Sequence, residues 1–280
     1  MPSNTQKPTI VIVHGSYHTP APYGPFMDAL NTLGFETRCP QRPTSDLSKL
    51  NVGDVNAPDF DRGPPPEGFP TDDDDVAVLR QVLDQLIVQE RKQVLLVAHS
   101  SGGWVATQAA VLELQYEARQ AQGQNGGLIG IFYYSAFTIP LNQSINGYFQ
   151  PNDGSFTIPP WLKFWKHGAA GVATLVDAPK FMFNGLNAVE AEKWTATLTA
   201  APINTGILTN DAYATIPCAY LELTDDYILP KEYQEAMIME QKELGNDFTV
   251  YYAPTGHSAH LTWTEPLAKN VANFVDKARP

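Results

Sequence analysis

The sequence predicts an α/β protein with a mostly parallel central sheet, helices on both faces and an inserted helical cap. Three observations predict it. Apolar runs of strand length alternate with amphipathic helical segments along the 280 residues, as they do where strands are buried on both faces and joined by helical crossovers. One such run, residues 94–97, passes through a tight turn of small residues directly into a helical segment. A long aromatic-rich stretch, residues 138–205, interrupts the alternation between two strands.

The elements follow in order. Residues 9–13 are a β-branched run ending at His14-Gly15. Residues 22–33 have helical spacing, with Gly34 placed as a C-terminal stop. Residues 35–39 read as a second strand. Residues 76–88 put Val76, Leu79, Val82, Leu83, Leu86 and Ile87 on one helical face. Thr71 precedes them as N-cap, and Asp72–Asp75 complement the dipole of the first turn. Residues 94–97 form a buried strand, and a helix is expected over 102–118. Residues 120–127 are a short polar linker to a strand at 128–134. Strand 219–223, helix 231–242, strand 248–252 and helix 266–277 complete the series. The division expected is a core of 1–137 and 206–280 with a helical cap at 138–205. Residues 40–70, rich in Pro, Gly and Asp, read either as a flap near the site or as an unstructured loop. There is no internal repeat.

Composition narrows the function classes. A hydrophobic content of 43% supplies a sizeable core. A formal charge of −12 argues against nucleic acid and anionic membrane surfaces, which both need clustered Lys and Arg. Two cysteines, Cys39 and Cys218, do not make a disulfide framework and fit free thiols. The polar stretch at 1–7 has no apolar core of a secretory signal, no run has membrane-span length, and the C-terminus carries no sorting signal. The expectation is a cytoplasmic protein, monomer or homodimer, with a small-molecule substrate. No phosphate-binding glycine loop and no HExxH or CxxC element occurs, so neither cofactor nor metal is expected.

The turn at 94–104 carries the chemistry. A serine at the top of a sharp strand-to-helix turn is strained, so the residues two before and two after it must be small. Ala98 and Gly102 meet that demand around Ser100, whereas a register on Ser101 would need His99 in a slot without room. Alone, the pattern also describes an ordinary strand–turn–helix with a serine cap. What accompanies it favours a nucleophile. An activated serine needs a base, and the base needs an acid to orient it and stabilise its cation. After strand 219–223 come Asp225 and Asp226, and after strand 248–252 comes His257, in the order Ser, Asp, His at successive strand ends.

With these residues the chain resembles the α/β-hydrolase superfamily over nearly its full length. It is most similar to the esterase branch containing plant methylesterases, hydroxynitrile lyases and related fungal hydrolases. The matching residues are Val11-Ile-Val-His-Gly15 with His18, Val97-Ala-His-Ser-Ser-Gly-Gly103, Asp226 four residues before Pro230, and Gly256-His257-Ser258. The resemblance implies an α/β-hydrolase fold and serine chemistry. It implies His257 as base, with His260 as its neighbouring rival, and the Asp-x-x-x-Pro spacing favours Asp226 over Asp225. Glu222 lies within the strand and is a weaker candidate. An oxyanion hole is expected from the backbone N–H of Ser101 and of Ser16 or Tyr17, with Gly15 allowing close approach. Gly15, His18, Trp161 and Trp165 are the candidate substrate-binding residues of the pocket beside it. His14 and His99 are expected to brace loops, and His167 to be exposed in the cap.

The function expected is hydrolysis of a carboxylic ester or lactone with an apolar or aromatic group, through an acyl-enzyme. Trp161, Trp165 and Trp194 would supply the aromatic pocket, unless they only pack the cap. A carbon–carbon lyase on the same residues is the alternative. Hydroxynitrile lyases of this branch typically carry Thr where this chain has Gly15, and Lys where it has Ser258; retro-aldol or retro-Claisen cleavage is untouched by that difference. A non-catalytic receptor on the same fold is a further reading. Epoxide hydrolases and dehalogenases are disfavoured, because they place Asp where this chain has Ser100.

Overall fold

Every strand of the main sheet runs in the same direction, so all its C-terminal ends lie along one edge. The computed structural model describes residues 7–151, 153 and 155–279. The polar N-terminal stretch read for targeting lies, apart from Lys7, outside them. The elements are β1 (Thr9–Val13), α1 (Gly24–Thr32), β2 (Thr37–Arg38), α2 (Asp72–Leu83), β3 (Gln93–His99), α3 (Gly102–Ala109), α4 (Tyr116–Ala121) and β4 (Gly127–Tyr134). There follow α5 (Ile145–Phe149), β5 (Leu162–Phe164), β6 (Ala173–Leu175), α6 (Ala178–Phe181), α7 (Ala188–Thr195), β7 (Cys218–Leu223), α8 (Lys231–Glu243), β8 (Phe248–Ala253), α9 (Ala259–Thr262) and α10 (Thr264–Ala278). The sheet order is β2-β1-β3-β4-β7-β8. The chain leaves β1 toward one edge and returns to the other side of it, so the crevice between β1 and β3 is the topological switch point.

Alternation along the strands sorts the core into two layers. Val11 and Val13 face α2 and α3, with Val76, Leu79 and Trp104. Ile10 and Ile12 face α1 and α10, with Phe26, Leu30, Val271 and Phe274. Gly34 ends the α1 segment with φ +85, as a C-terminal stop should.

Several elements differ from expectation. The second strand shrinks to Thr37–Arg38 at the sheet edge, where Pro40 cannot donate to a ladder. Helix α2 starts at Asp72 behind its Thr71 N-cap, as read, but runs on as a π-helical segment, Asp84–Gln89. The helix expected over 102–118 stops at Ala109. Val111 is extended, and Gln115 Nε2 caps the freed carbonyl of Ala110 at 3.0 Å. The stretch between β4 and β7 holds short helices and also an antiparallel pair, β5 with β6, rather than helices alone.

Residues 40–70 are an ordered, packed loop. Leu50 and Val52 are buried with Val172 and Ala200, and Phe60 meets Trp165 at 5.3 Å between ring centroids. Asp61 accepts from the Lys166 N–H at 2.9 Å. No helix among the described residues is long and apolar enough to cross a membrane.

Candidate active site

Five strand ends build the site. Ser16 and Tyr17 follow β1, Ser100 follows β3, Ser135 follows β4, Asp226 follows β7 and His257 follows β8.

Ser100 has φ +54, a left-handed conformation that a non-glycine residue holds only when its surroundings impose it. The surroundings are backbone. A Cβ on Gly102 would lie 2.2 Å from the Val13 carbonyl oxygen, and one on Gly103 2.8 Å from that of Phe137. The chain therefore turns from β3 into α3 with no space for side chains, and Ser100 is pushed to the crest. Its N–H donates to the Ser135 carbonyl at 3.1 Å, and its own carbonyl accepts from Gly103 and Phe137.

His257 and Asp226 meet. His257 Nδ1 lies 2.9 Å from Asp226 Oδ2, with both side chains fully buried. Asp226 Oδ1 accepts from the N–H groups of Ile228 and Leu229 at 2.8 and 2.9 Å. Asp225 is exposed, and among the described residues its carboxylate accepts only from the neighbouring Thr224 hydroxyl. Glu222 is buried in β7, where burial raises its pKa. The Ser100 hydroxyl and His257 Nε2 do not hydrogen-bond to each other, and Nε2 has no partner among the described residues.

Behind the turn lies a polar network that sequence reading missed. Arg42, buried, donates through Nη1 to Ser101 Oγ at 2.7 Å and to the His14 carbonyl at 2.8 Å. Its Nε donates to Asp75 Oδ2 at 2.8 Å. Ser101 Oγ also accepts from the Ser16 N–H at 2.9 Å. Of the two loop N–H groups expected to face a reacting carbonyl, that of Ser16 is thus turned to Ser101. Those of Tyr17, at φ +66, and of Ser101 have no hydrogen-bond partner among the described residues. Asp72 accepts from Asn204 Nδ2 at 2.5 Å and from the Gly206 N–H at 2.8 Å, and burial raises its pKa. Two of the four acids read as dipole partners, Asp72 and Asp75, are therefore buried anchors.

Five of the six histidines crowd the same region. His14 Nδ1 donates to the Gly15 carbonyl and its Nε2 accepts from the Arg42 N–H. His99 Nε2 donates to the His257 carbonyl at 3.1 Å, so its Nδ1 accepts from the Tyr23 hydroxyl at 2.7 Å. Tyr23 in turn accepts from the Gly15 N–H. His260 stacks on Tyr23 with centroids 4.2 Å apart. Burial holds His14, His99 and His260 well below the usual imidazole range and His18 at about 4. His167 is exposed and reaches the Asp61 carbonyl.

A cavity of about 400 Å³ opens over Ser100. Ser16, Tyr17, Ser100 and Ser101 form its floor, and Phe137, Phe149, Trp161, Met182, Leu229 and Tyr233 are among its walls. No Asp, Glu, Lys, Arg or His is among its described lining residues. Trp161 is in the wall. Three other expected pocket residues are not. His18 is fully buried behind the loop, its Nδ1 on the Ser16 carbonyl at 2.8 Å. Trp165 packs on Phe60 and donates to Thr174 Oγ1. Gly15 lies beneath Ser100, where a Cβ would meet Ser100 Cβ at 2.9 Å. Ser135, Arg42 and Asn204 were not anticipated. For Ser135 the available signal was its place directly after a central parallel strand, where side chains face the crevice.

Comparison with known proteins agrees with this architecture. The profile of the alpha/beta hydrolase family matches residues 10–270. A pyrethroid hydrolase of Sphingobium wenxiniae is 22% identical over 276 residues, covering 95% of this chain and 87% of that protein. The crystal structure of a pyrethroid hydrolase from Sphingobium faniae is 18% identical at a TM-score of 0.66, covering 96% of this chain and 97% of the other. An Arabidopsis methylesterase is 17% identical at a TM-score of 0.64, with 96% and 98% covered.

Proposed function

The chain belongs to the α/β hydrolase family, and we propose that it is a serine hydrolase of neutral, apolar carboxylic esters or lactones. The observation that carries this reading is the Asp226–His257 pair, 2.9 Å apart at the same sheet edge as the strained Ser100 crest. Relatives named pyrethroid hydrolase and methylesterase support an ester as the bond cleaved.

Ser100 Oγ attacks the substrate carbonyl carbon while His257 Nε2 takes the hydroxyl proton. Asp226 holds the ring through Nδ1 and stabilises the imidazolium. The N–H groups of Ser101 and Tyr17 receive the oxyanion. The tetrahedral adduct collapses, the alkoxide leaves with the proton from Nε2, and an acyl-Ser100 ester remains. Water then attacks that ester, giving its proton to Nε2, and the carboxylic acid departs as Ser100 regains its hydrogen. The mechanism requires the Ser100 hydroxyl to rotate toward Nε2. Catalytic hydrogen bonds of this kind commonly tighten only with substrate in place.

The uncharged walls favour a neutral, apolar acyl or alcohol group, because a carboxylate there would lose hydration without gaining a cationic partner among the described lining residues. Against a hydroxynitrile-lyase reaction, Gly15 has no room for a threonine side chain and Ser258 is fully buried.

The test is Ser100→Ala with p-nitrophenyl esters of graded chain length and a fluorophosphonate probe. Loss of turnover and of labelling at position 100 is expected. Undiminished hydrolysis would overturn the assignment, and a wild-type chain that neither turns over nor labels would favour a receptor.

A further inference from the structure

We propose that Ser135 is a positioning residue that holds the acid and the base of this site together from the end of the strand next to the acid's. The proposal rests on the esterase reading above. Ser135 follows β4, which lies between the nucleophile strand β3 and the acid strand β7. Its side chain is fully buried and touches both partners. Ser135 Oγ donates to Asp226 Oδ2 and lies 2.9 Å from His257 Nδ1.

Proton counting assigns the directions. An ionised carboxylate only accepts, so the single Ser135 hydroxyl proton goes to Asp226. A lone pair of the same oxygen is then left facing Nδ1. The Nδ1–H is therefore shared between Asp226 Oδ2 at 2.9 Å and Ser135 Oγ at 2.9 Å, and three groups close a triangle. The backbone fixes the apex. Ser135 has φ +41, its N–H donates to the Leu221 carbonyl in β7, and its carbonyl accepts from the Ser100 N–H. One residue thus touches the nucleophile, the acid and the base. The Tyr220 hydroxyl braces the next residue by accepting from the Ala136 N–H and donating to its carbonyl.

Two consequences follow. The second acceptor fixes the plane of the imidazole. The hydroxyl also acts on the charged ring in two ways, drawing charge from the carboxylate and accepting the Nδ1–H itself, so its removal shifts the balance between the ring's two protonation states. The other titratable groups facing His257 are His99 from β3, His260 from α9 and His18 from the loop after β1. All three are buried histidines held below the usual imidazole range.

Ser135→Gly removes the hydroxyl, and the left-handed φ suits glycine. Its kcat/KM is expected to fall about tenfold or more, the effect of one lost hydrogen bond to a charged group, with the loss in kcat and KM nearly unchanged. The acidic limb of its kcat/KM profile is expected to move away from that of the wild type. Asp226→Asn combined with Ser135→Asp is expected to recover at least about tenfold over Asp226→Asn alone, because the carboxylate would again reach Nδ1. A substrate-free reading is the downfield Nδ1–H proton resonance of His257, which is expected to move in Ser135→Gly. That measurement judges Ser135 even if the wild-type chain fails to cleave esters, which would refute the esterase reading instead. Ser135→Gly with an unmoved pH limb and an unmoved resonance overturns the proposal.

Discussion

Arg42 Nη1 and Ser101 Oγ meet at 2.7 Å in the interior, joining the loop at 40–70 to the residue after the candidate nucleophile. The same guanidinium pairs with Asp75 at 2.7 Å, so helix α2, the loop and the turn that carries Ser100 share one buried cation. Breaking such a pair from one side leaves an uncompensated charge. Arg42→Ala is expected to cost about 3–5 kcal/mol of stability. It should also lower kcat, because the Ser101 backbone loses its restraint. Denaturant titration checks the first part, and a loss under about 1 kcal/mol would show that the pair is not critical.

The two glycines with opposite surroundings make a paired test. Gly102→Ala forces a Cβ to 2.2 Å from a backbone oxygen, whereas Gly24 in α1 has nothing within 4 Å of the added carbon. Gly102→Ala should fail to fold or unfold far more easily. Gly24→Ala should gain up to about 1 kcal/mol from helix propensity. Equal melting temperatures for the two variants would contradict the steric account.

Asp225 and Asp226 separate by activity. Asp226→Asn should lower kcat about 10³-fold or more, since the ring loses its orienting anion. Asp225→Asn should stay within about threefold, because the Asp225 carboxylate is exposed and touches no part of the site. A larger loss in Asp225→Asn than in Asp226→Asn would exchange their roles.

The two tryptophans separate by property. Trp161 lines the cavity, so Trp161→Ala should change the ratio of kcat/KM for bulky against short acyl esters by about tenfold. Trp165 packs on Phe60, with Lys163 Nζ 3.7 Å from its ring centroid. Trp165→Ala should leave that ratio alone and cost about 2–3 kcal/mol, less than deleting a fully buried tryptophan. An altered acyl ratio in Trp165→Ala would place that ring at the substrate.

Stability should decline in mild acid. His14, His18, His99 and His260 are held neutral by burial, His18 down to about 4. Above about pH 7 folded and unfolded chains bind equally few protons at these rings. Below about pH 6.5 the unfolded chain takes up protons that the folded chain refuses, so stability is lost as pH falls toward 4. Asp72 and Glu222, whose pKa values burial raises, act in the opposite direction, two groups against four. Melting temperatures from pH 8 to 4 check the sign, and a flat or rising profile toward acid would refute it.

Much of the site could be read in the residues themselves because its demands are local. A sharp turn tolerates only small neighbours, which picks Ser100 from the serine pair. Strand ends followed by Asp and His state their order without any fold. The sequence could equally be parsed into alternating strands and helices, since burial on both faces leaves unbroken apolar runs. Local pattern failed where the side chain capping a backbone carbonyl is itself held from far along the chain, as Gln115 on Ala110 is by Thr215, and where two short extended pieces paired with each other, as β5 and β6 did.

Sequence alone determined the parallel α/β frame and named the candidate nucleophile turn and base, while it left the acid between Asp225 and Asp226, with the family resemblance favouring Asp226. Tertiary structure decided which polar groups meet across the chain. Arg42 finds Asp75 and Ser101, and Ser135 reaches both Asp226 and His257, only because strand order sets β4 between β3 and β7 and the loop at 40–70 folds back onto the nucleophile-side turn. Periodicity and steric fit act over a few residues, whereas a hydrogen bond between residues 91 positions apart depends on the path of the whole chain.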